Sequence, residues 1–147
     1  MTTLQEAAAL GRSEQGLAIV STLRADSTIQ SSLVNAGVLE LPSAGVPVLV
    51  FVTYGRVKIA NLRARPQVTT TFKKGWQWAS VEGTAELAGP DDPQPWLDPE
   101  RLRLSLREVF AAAGGRHDDW DEYDRVMAEQ RRAVVLVEPT RVYSNRP

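Results

Sequence analysis

Apolar residues along the chain fall into short runs bounded by turn residues, a pattern typical of β-strands. In the second run, Gln30, Ser32 and Val34 alternate onto one face. The first run is rich in β-branched residues and is expected to be buried on both faces or nearly so. The turns between consecutive runs are short, which favours antiparallel pairing, and a closed sheet leaves no free edge. We therefore predict a six-stranded antiparallel β-barrel with strands at 17–23, 29–41, 46–54, 68–73, 76–87 and 133–143.

Segments in which apolar residues recur at helical spacing lie between some of these runs. Short helices are predicted at 4–10 and from about Lys58 to Arg65, where Pro66 ends the second one. The Pro-rich segment 89–95 precedes two longer helices, one at 99–113 and one that begins at Asp119 with Glu122 in its first turn. Residues 42–45 form a predicted turn, and Gly83 marks a bulge or a close approach of another chain segment. The barrel therefore carries a helical insertion before its last strand.

Composition narrows the class of protein. A length of 147 residues fits one domain over residues 1–147, and 17 basic against 18 acidic side chains give a net charge of −1. Such a balance argues against nucleic acid as a partner. The absence of cysteine excludes disulfides and thiolate sites, and no apolar run has the length of a signal peptide core or of a membrane span. We expect a soluble cytoplasmic protein.

A basic segment after the third run is the best candidate for binding an anion. In extended backbone Arg56 and Lys58 project from the same face, so that a guanidinium and an ammonium can converge on one phosphate. If a helix starts near Lys58, its free N–H groups and positive dipole end act at the same place. The alternative is a solvated basic turn, because Arg and Lys are mostly exposed wherever they occur.

Other candidate chemistry is sparse. The chain has no P-loop, no dinucleotide-binding glycine motif, no nucleophile elbow and no zinc-protease motif. The sole histidine, His117, is expected to be an exposed loop residue rather than a base or ligand. Acidic residues at 118–124 complement the dipole of the helix that begins there, so no metal site is predicted. Trp76 and Trp78 share one strand face with Ser80 and either pack in the core or line the site of a planar ligand.

Several segments in a fixed order carry a family resemblance. They are Gly55-Arg56-Val57-Lys58, Asn61-Leu62-Arg63, and residues 75–87 with the sequence GWQWASVEGTAEL. Together with residues 117–123 and 131–143 they resemble the split β-barrel flavin/deazaflavin oxidoreductases related to pyridoxamine 5′-phosphate oxidase. Within that family, the chain is most similar to the actinobacterial subgroup that uses the deazaflavin coenzyme F420. The resemblance covers nearly the whole chain.

The resemblance implies an FMN-binding split barrel that assembles as a homodimer with two cofactor sites at the subunit interface. The cofactor ring carries the hydride in this family, so no catalytic side chain is named. The phosphate would be held by Arg56 and Lys58. The other implied cofactor-binding residues are Asn61, Gln30, Ser32 and Thr53, together with Trp76 or Trp78 from the partner subunit.

From this resemblance we expect an oxidoreductase that passes hydride from reduced deazaflavin to a planar, conjugated organic acceptor. Four basic residues, Arg63, Arg65, Lys73 and Lys74, would add positive potential for the oligoglutamate tail of the deazaflavin, which FMN lacks. One alternative is an FMN-dependent enzyme similar to pyridoxamine 5′-phosphate oxidase. Another is a cofactor-binding protein without catalytic turnover.

Overall fold

The computed structural model describes residues 1–40, 46–53 and 55–146, so the predicted turn at 42–45 and the ends of two predicted strands, at 41 and 54, lie outside the described residues. The strands are β1 Leu17–Leu23, β2 Ile29–Glu40, β3 Pro47–Thr53, β4 Gln67–Lys74, β5 Gln77–Ala88 and β6 Ala133–Ser144. The described helices are α1 Leu4–Gly11, α2 Arg56–Ala64, α3 Pro99–Ala112 and α4 Trp120–Glu129, with a short 3-10 helix at Arg12–Glu14.

The six strands form a closed barrel in the order β1-β2-β3-β6-β5-β4, and every neighbouring pair is antiparallel. This confirms the predicted fold class. Helices α3 and α4 follow β5 and precede β6, as the predicted insertion requires. The bulge is also confirmed, because the register between β5 and β6 shifts at Glu82 and Gly83. A side chain at Gly83 would collide there, since its Cβ would lie 2.3 Å from the carbonyl oxygen of Glu138.

Two apolar clusters hold the barrel together. The interior is filled by side chains from all six strands, including the fully buried Phe51, Phe72 and Val81, and α1 packs against the same cluster. A second cluster lies outside the barrel, where Val109 and Met127 of α3 and α4 cover the outer faces of β3 and β6. Strand β3 and the first five residues of β6 are therefore buried on both sides.

Strand β1 differs from that pattern, and our expectation that both of its faces are buried is wrong. Its inward residues Ala18 and Val20 are buried, but its outward residues Leu17 and Ile19 are 39% and 45% exposed. Helix α2 contacts β1 but leaves Leu17 and Ile19 exposed, whereas α3 packs on β3 and β6. An apolar run thus marks burial only where a second layer is present.

The insertion helices begin at aspartates that cap them. Asp98 accepts a hydrogen bond from the backbone N–H of Arg101 at 2.7 Å, and Asp119 accepts one from the backbone N–H of Glu122 at 3.2 Å. The second bond confirms the predicted start of α4.

Within the described residues, no helix combines the length and the hydropathy that a membrane crossing requires.

An ion cluster joins α3 to α4. Asp124 accepts hydrogen bonds from Arg107 at 2.9 and 2.5 Å and from Arg103 at 3.0 Å, and Arg103 also pairs with Glu100. The Arg107 guanidinium holds the pKa of Asp124 below its ordinary value, with a further contribution from Arg103. Each arginine of this cluster therefore has a carboxylate partner.

Candidate functional site

Helix α2 begins two residues earlier than the sequence pattern indicated. Gly55 is its N-terminal cap, and Arg56 is its first residue. Residues two apart in a helix are separated by about 200° around its axis, so Arg56 and Lys58 do not share a face. Arg56 is exposed, whereas Lys58 is buried at 7% exposure. The expectation that extended backbone places both side chains on one face is therefore wrong.

The Lys58 ammonium is buried at the end of β3. Its Nζ donates a hydrogen bond to Thr53 Oγ1 at 3.3 Å. None of the ion pairs among residues 1–40, 46–53 and 55–146 includes Lys58. Burial lowers the pKa of Lys58 below its ordinary 10.5, and the positive charge of Arg132 lowers it further. A buried cation with this environment gains from an anion that approaches from outside.

The first turn of α2 adds hydrogen-bond donors beside Lys58. The helix has no side-chain cap, and its first internal bond runs from the N–H of Ile59 to the carbonyl oxygen of Gly55 at 3.0 Å. The N–H groups of residues 56–58 come before that bond and have no acceptor within the helix. Thr53 Oγ1 also accepts from the Gly55 N–H at 3.3 Å. This end of the helix therefore presents positive potential and free donors to an anion.

A chain of hydrogen bonds brings two of the predicted residues together. The side-chain amide of Asn61 donates to Thr22 Oγ1 at 3.0 Å, and the Thr22 hydroxyl donates to Gln30 Oε1 at 3.1 Å. Arg65 completes the chain by donating to Asn61 Oδ1 at 3.4 Å and to the carbonyl oxygen of Leu23 at 3.0 Å. Thr22 was not predicted as a site residue. Its partner Asn61 lies 39 residues away, so no local signal marks it.

Ser32 lies on the inner face of β2, two residues from Gln30. Its hydroxyl oxygen and that of Thr70 are buried, and neither has a hydrogen-bond partner within the described part of the chain. Both residues pair with Val20, from opposite sides of β1. Buried hydroxyls without partners are uncommon because they forfeit their bonds to water. Ser32 thus remains able to bond a ligand or a water molecule.

The two predicted tryptophans lie elsewhere. Trp78 pairs with Lys73 at the hairpin end of β4, whereas Val68 at the start of β4 pairs with Thr22. Trp76 lies in the turn of that hairpin and is 94% exposed, and Trp78 packs edge-on against Tyr143 with ring centroids 6.0 Å apart. Neither side chain belongs to the core. None of the contacts described for these two tryptophans involves Lys58.

Two of the four basic residues expected to bind a charged tail are engaged within the protein. Arg63 pairs with both carboxylate oxygens of Asp92, at 2.8 and 2.7 Å, and this carboxylate offsets the positive potential that Arg63 was expected to add. Arg65 belongs to the chain of hydrogen bonds through Asn61 described above. Lys73 and Lys74 are exposed at the far hairpin. His117 is exposed as predicted, and its Nδ1 accepts from the Asp119 backbone N–H at 3.0 Å.

A closed barrel of six antiparallel strands with helices outside it defines a class of proteins, and comparison with known proteins agrees with it. A model of the family described as pyridoxamine 5′-phosphate oxidase matches residues 4–146. The chain therefore belongs to the pyridoxamine 5′-phosphate oxidase family of split-barrel proteins, which confirms the resemblance inferred from its sequence.

Solved structures share the fold. A conserved hypothetical protein from Mycobacterium tuberculosis is 20% identical, with a TM-score of 0.68 over 98% of this chain and 84% of that chain. An F420 reductase is 18% identical, with a TM-score of 0.62 over 97% of this chain and 98% of that one. An FMN-binding protein from Nostoc punctiforme, related to pyridoxamine 5′-phosphate oxidase, is 14% identical, with a TM-score of 0.61 over 94% of this chain and 79% of that one.

Proposed function

We propose that the protein is an oxidoreductase that binds the deazaflavin coenzyme F420 and passes hydride from the reduced cofactor to a planar, conjugated organic acceptor. The observation that carries the proposal is the buried ammonium of Lys58, which has no place in the ion pairs of the described residues. Burying such a charge costs free energy, and a cofactor phosphate would offset that cost. Membership of the family supports a cofactor of the flavin type.

The residues around Lys58 fit a phosphate group. The ammonium, held toward Thr53 Oγ1, and the free N–H groups at the start of α2 would bind its oxygens, and the exposed guanidinium of Arg56 would bind it from the solvent side. Ser32 and Gln30 would border the rest of the cofactor, the first through its unpartnered hydroxyl. The bound ring supplies the hydride, so the protein contributes binding and orientation.

We further propose that the cofactor sites form between two copies of the chain. The outer face of β1 and β2 carries Ile19 and Leu33, which pair directly across the strands, and Ile29. Ile29 is 62% exposed and Leu33 is 66% exposed, so this face is an apolar surface of the kind that another protein surface covers. Trp78 lies on the same side of the barrel, one strand beyond β4. A partner subunit seated there would bring its own tryptophans to the cofactor.

Sedimentation velocity tests the dimer. We expect a dimer at micromolar concentrations, and we expect Leu33→Glu to convert it to a monomer. In a two-fold symmetric interface the substitution occurs once in each subunit, so two charges are buried. The control is Val46→Glu, which places the same charge at an exposed valine before β3. A parent protein that sediments as a monomer at all these concentrations would exclude cofactor sites shared between subunits.

FMN is the second candidate cofactor, and one contact favours it. Because Asp92 engages Arg63, the protein offers less unbalanced charge to an oligoglutamate tail than the sequence indicated. An FMN-dependent enzyme similar to pyridoxamine 5′-phosphate oxidase would use the same phosphate site. A cofactor-binding protein without turnover would use it too.

The deciding experiment is to titrate the purified protein with F420 and with FMN side by side, and then to add candidate acceptors to the reduced complexes. We expect tighter binding of F420 and reoxidation of its reduced form by planar conjugated acceptors. Tighter binding of FMN would transfer the proposal to the second candidate. Binding without reoxidation by any acceptor would support a protein that only carries the cofactor.

A further inference from the structure

The turn between β4 and β5 projects from one end of the barrel. Trp76 lies in this turn and is 94% exposed, and Lys73 and Lys74 at the end of β4 are exposed as well. Gly75 has a positive φ of 60°, and a Cβ added there would meet nothing within 4 Å. Residues 73–76, which we call the hairpin tip, therefore form a convex projection and not the wall of a cavity.

The segment after β6 holds the hairpin tip in place and adds a third basic residue. The side chain of Asn145 donates to the carbonyl oxygen of Trp76 at 2.8 Å and accepts from the backbone N–H of Trp78 at 3.1 Å. The backbone N–H of Asn145 donates to the carbonyl oxygen of Trp78 at 3.3 Å. Arg146 follows directly and is exposed. Arg146 therefore belongs to the same end of the hairpin as the exposed tryptophan.

The positive charge at this end of the hairpin is not balanced by carboxylates. In the described part of the chain, none of the ion pairs includes Lys73, Lys74 or Arg146. The sequence also has no acidic residue from position 71 to position 81. These three cations therefore differ from the arginines of the ion pairs, and they give the hairpin tip a net positive potential.

Shape and charge together indicate what the hairpin tip binds. A convex tip cannot enclose a small ligand, and a rigid protein surface would need a matching recess, whereas a fluid lipid surface deforms around a projection. Tryptophan is enriched at membrane–water interfaces because its ring is apolar while its N–H remains hydrated. Basic side chains near such a surface are attracted by anionic head groups. An exposed tryptophan among unbalanced cations therefore fits an anionic lipid surface.

We propose that the hairpin tip docks on an anionic lipid surface, with the Trp76 indole at the level of the head groups and the three basic side chains close to their negative charges. This docking goes beyond the proposed function, because it involves neither the cofactor nor Lys58. In a dimer it assigns Trp76 to the lipid and leaves Trp78 to the subunit interface.

Cosedimentation with vesicles tests the docking on the unmodified protein without added cofactor. The probes are vesicles of phosphatidylcholine alone and vesicles that also contain phosphatidylserine. At low salt we expect binding to be at least roughly 10-fold tighter when phosphatidylserine is present, because each basic side chain near the surface adds to the attraction. High salt should remove most of this difference, since exposed charges are screened.

A substitution in the turn locates the contact. Trp76→Ser should weaken binding to the anionic vesicles by roughly 10-fold, because its indole no longer leaves water on binding. The matched control is Val57→Ser, which removes another exposed apolar side chain in the first turn of α2. Strands β3 and β4 run in opposite directions, so Val57 and the hairpin tip follow strand ends at opposite ends of the barrel.

A second variant tests the charges. Lys73→Gln combined with Lys74→Gln should weaken binding to the anionic vesicles by roughly fivefold for each lysine and should lower its dependence on salt. Binding to vesicles of phosphatidylcholine alone should change much less. Circular dichroism verifies that each variant folds.

Equal binding of the unmodified protein to both kinds of vesicle, or no binding to either, would overturn the proposal without reference to any variant. Equal losses in folded Trp76→Ser and Val57→Ser would also overturn it, because the contact would then lie elsewhere. Binding of soluble polyglutamate without binding of vesicles would instead assign the hairpin tip to an acidic chain. Failure of F420 and FMN to bind would leave these results unaffected, since neither cofactor is present.

Discussion

Two groups of basic side chains in this protein differ in how their charge is balanced. Between α3 and α4, Arg103 and Arg107 donate to the carboxylate of Asp124 at 2.5 to 3.0 Å. At the start of α2, Lys58 is buried, donates to the neutral hydroxyl of Thr53, and belongs to none of the ion pairs among the described residues. The first group joins two helices, and the second is suited to an anion from outside.

Burial of a positive charge and the presence of a carboxylate partner matter more for anion binding than the number of basic side chains. The sequence offers many arginines and lysines, but most arginines with described contacts are bonded to carboxylates, as Arg63 is to Asp92 and Arg131 is to Asp91. Lys58 differs because the fold removes it from water without supplying a carboxylate. Substitutions in the two groups should therefore have opposite consequences for ligand affinity and for stability.

Substituting Lys58 should give the largest effect. Charge-assisted hydrogen bonds typically contribute about 1.5–3 kcal/mol, so Lys58→Ala should weaken cofactor binding by roughly 10- to 150-fold. The free energy of unfolding should change much less, because the substitution also removes a buried charge. Fluorescence titration with F420 and FMN measures the affinity. Arg107→Gln, at the balanced group, is the control and should leave it unchanged. A folded Lys58→Ala protein with the parent affinity would exclude the phosphate site.

Substituting Asn61 should mainly affect stability. Asn61→Ala removes its bonds to Thr22 and Arg65 within a buried network, and we expect a loss of about 1–3 kcal/mol in the free energy of unfolding by urea. The matched control is Asn35→Ala, because Asn35 is exposed and donates one bond to the carbonyl oxygen of Gln15. A larger loss in the control than in Asn61→Ala would contradict the importance given to the network.

The sequence predicted the barrel well because each strand carries its own signal. Short apolar runs and turn residues located all six strands to within two residues at each described end, and Asp119 and Pro99 located the starts of the two long helices. The exposed face of β1 was not predicted. An apolar residue has the same pattern whether its own chain or another surface covers it, so Leu17 and Ile19 were assigned to the core.

The site was predicted less completely because it depends on distant contacts. The basic segment was identified, but Gly55 as the helix cap set the start of α2 at Arg56 and separated its side chain from that of Lys58. The pairing of Arg63 with Asp92 spans 29 residues, and no local pattern indicates it. The sequence pattern therefore could not indicate which basic side chains have a carboxylate partner in the folded protein.

Substituting Asp124 should give a moderate effect on stability. Asp124→Asn weakens the bonds from Arg103 and Arg107, and we expect a loss of about 1 kcal/mol, since the arginines are partly exposed to solvent. The pKa of Asp124 is lowered by these arginines, so its contribution is present above the ordinary value of 3.8 and is lost as pH falls through the lowered pKa. Urea unfolding at pH 7 and in acid measures the loss in the free energy of unfolding and its dependence on pH. A difference from the parent that persists below that pKa would contradict the assignment, and Asp118→Asn, at an exposed aspartate, is the control.

The smallest effect is expected at Arg63. Because Asp92 engages its guanidinium, Arg63→Gln should leave the ratio of F420 to FMN affinity within about twofold of the parent value, as for other partly exposed ion pairs. Lys74→Gln, at an exposed lysine of the β4–β5 hairpin, provides the comparison. A selective loss of F420 binding in Arg63→Gln alone would mean that Arg63 leaves Asp92 to bind the tail.

The pKa of Lys58 shows whether its ammonium is a buried cation suited to an anion, and it can be measured by NMR on protein labelled with 13C at the lysine ε-carbons. Lys58→Ala assigns the signal. In the free protein the pKa should lie below 10.5, because burial disfavours the ammonium and Arg132 repels it. Saturating cofactor should raise the pKa, since a phosphate favours the charged form, and cofactor affinity should correspondingly fall as pH rises through the pKa of the free protein. If the pKa of Lys58 lies at the ordinary value and does not change when cofactor is added, Lys58 is not a buried cation that binds the cofactor phosphate.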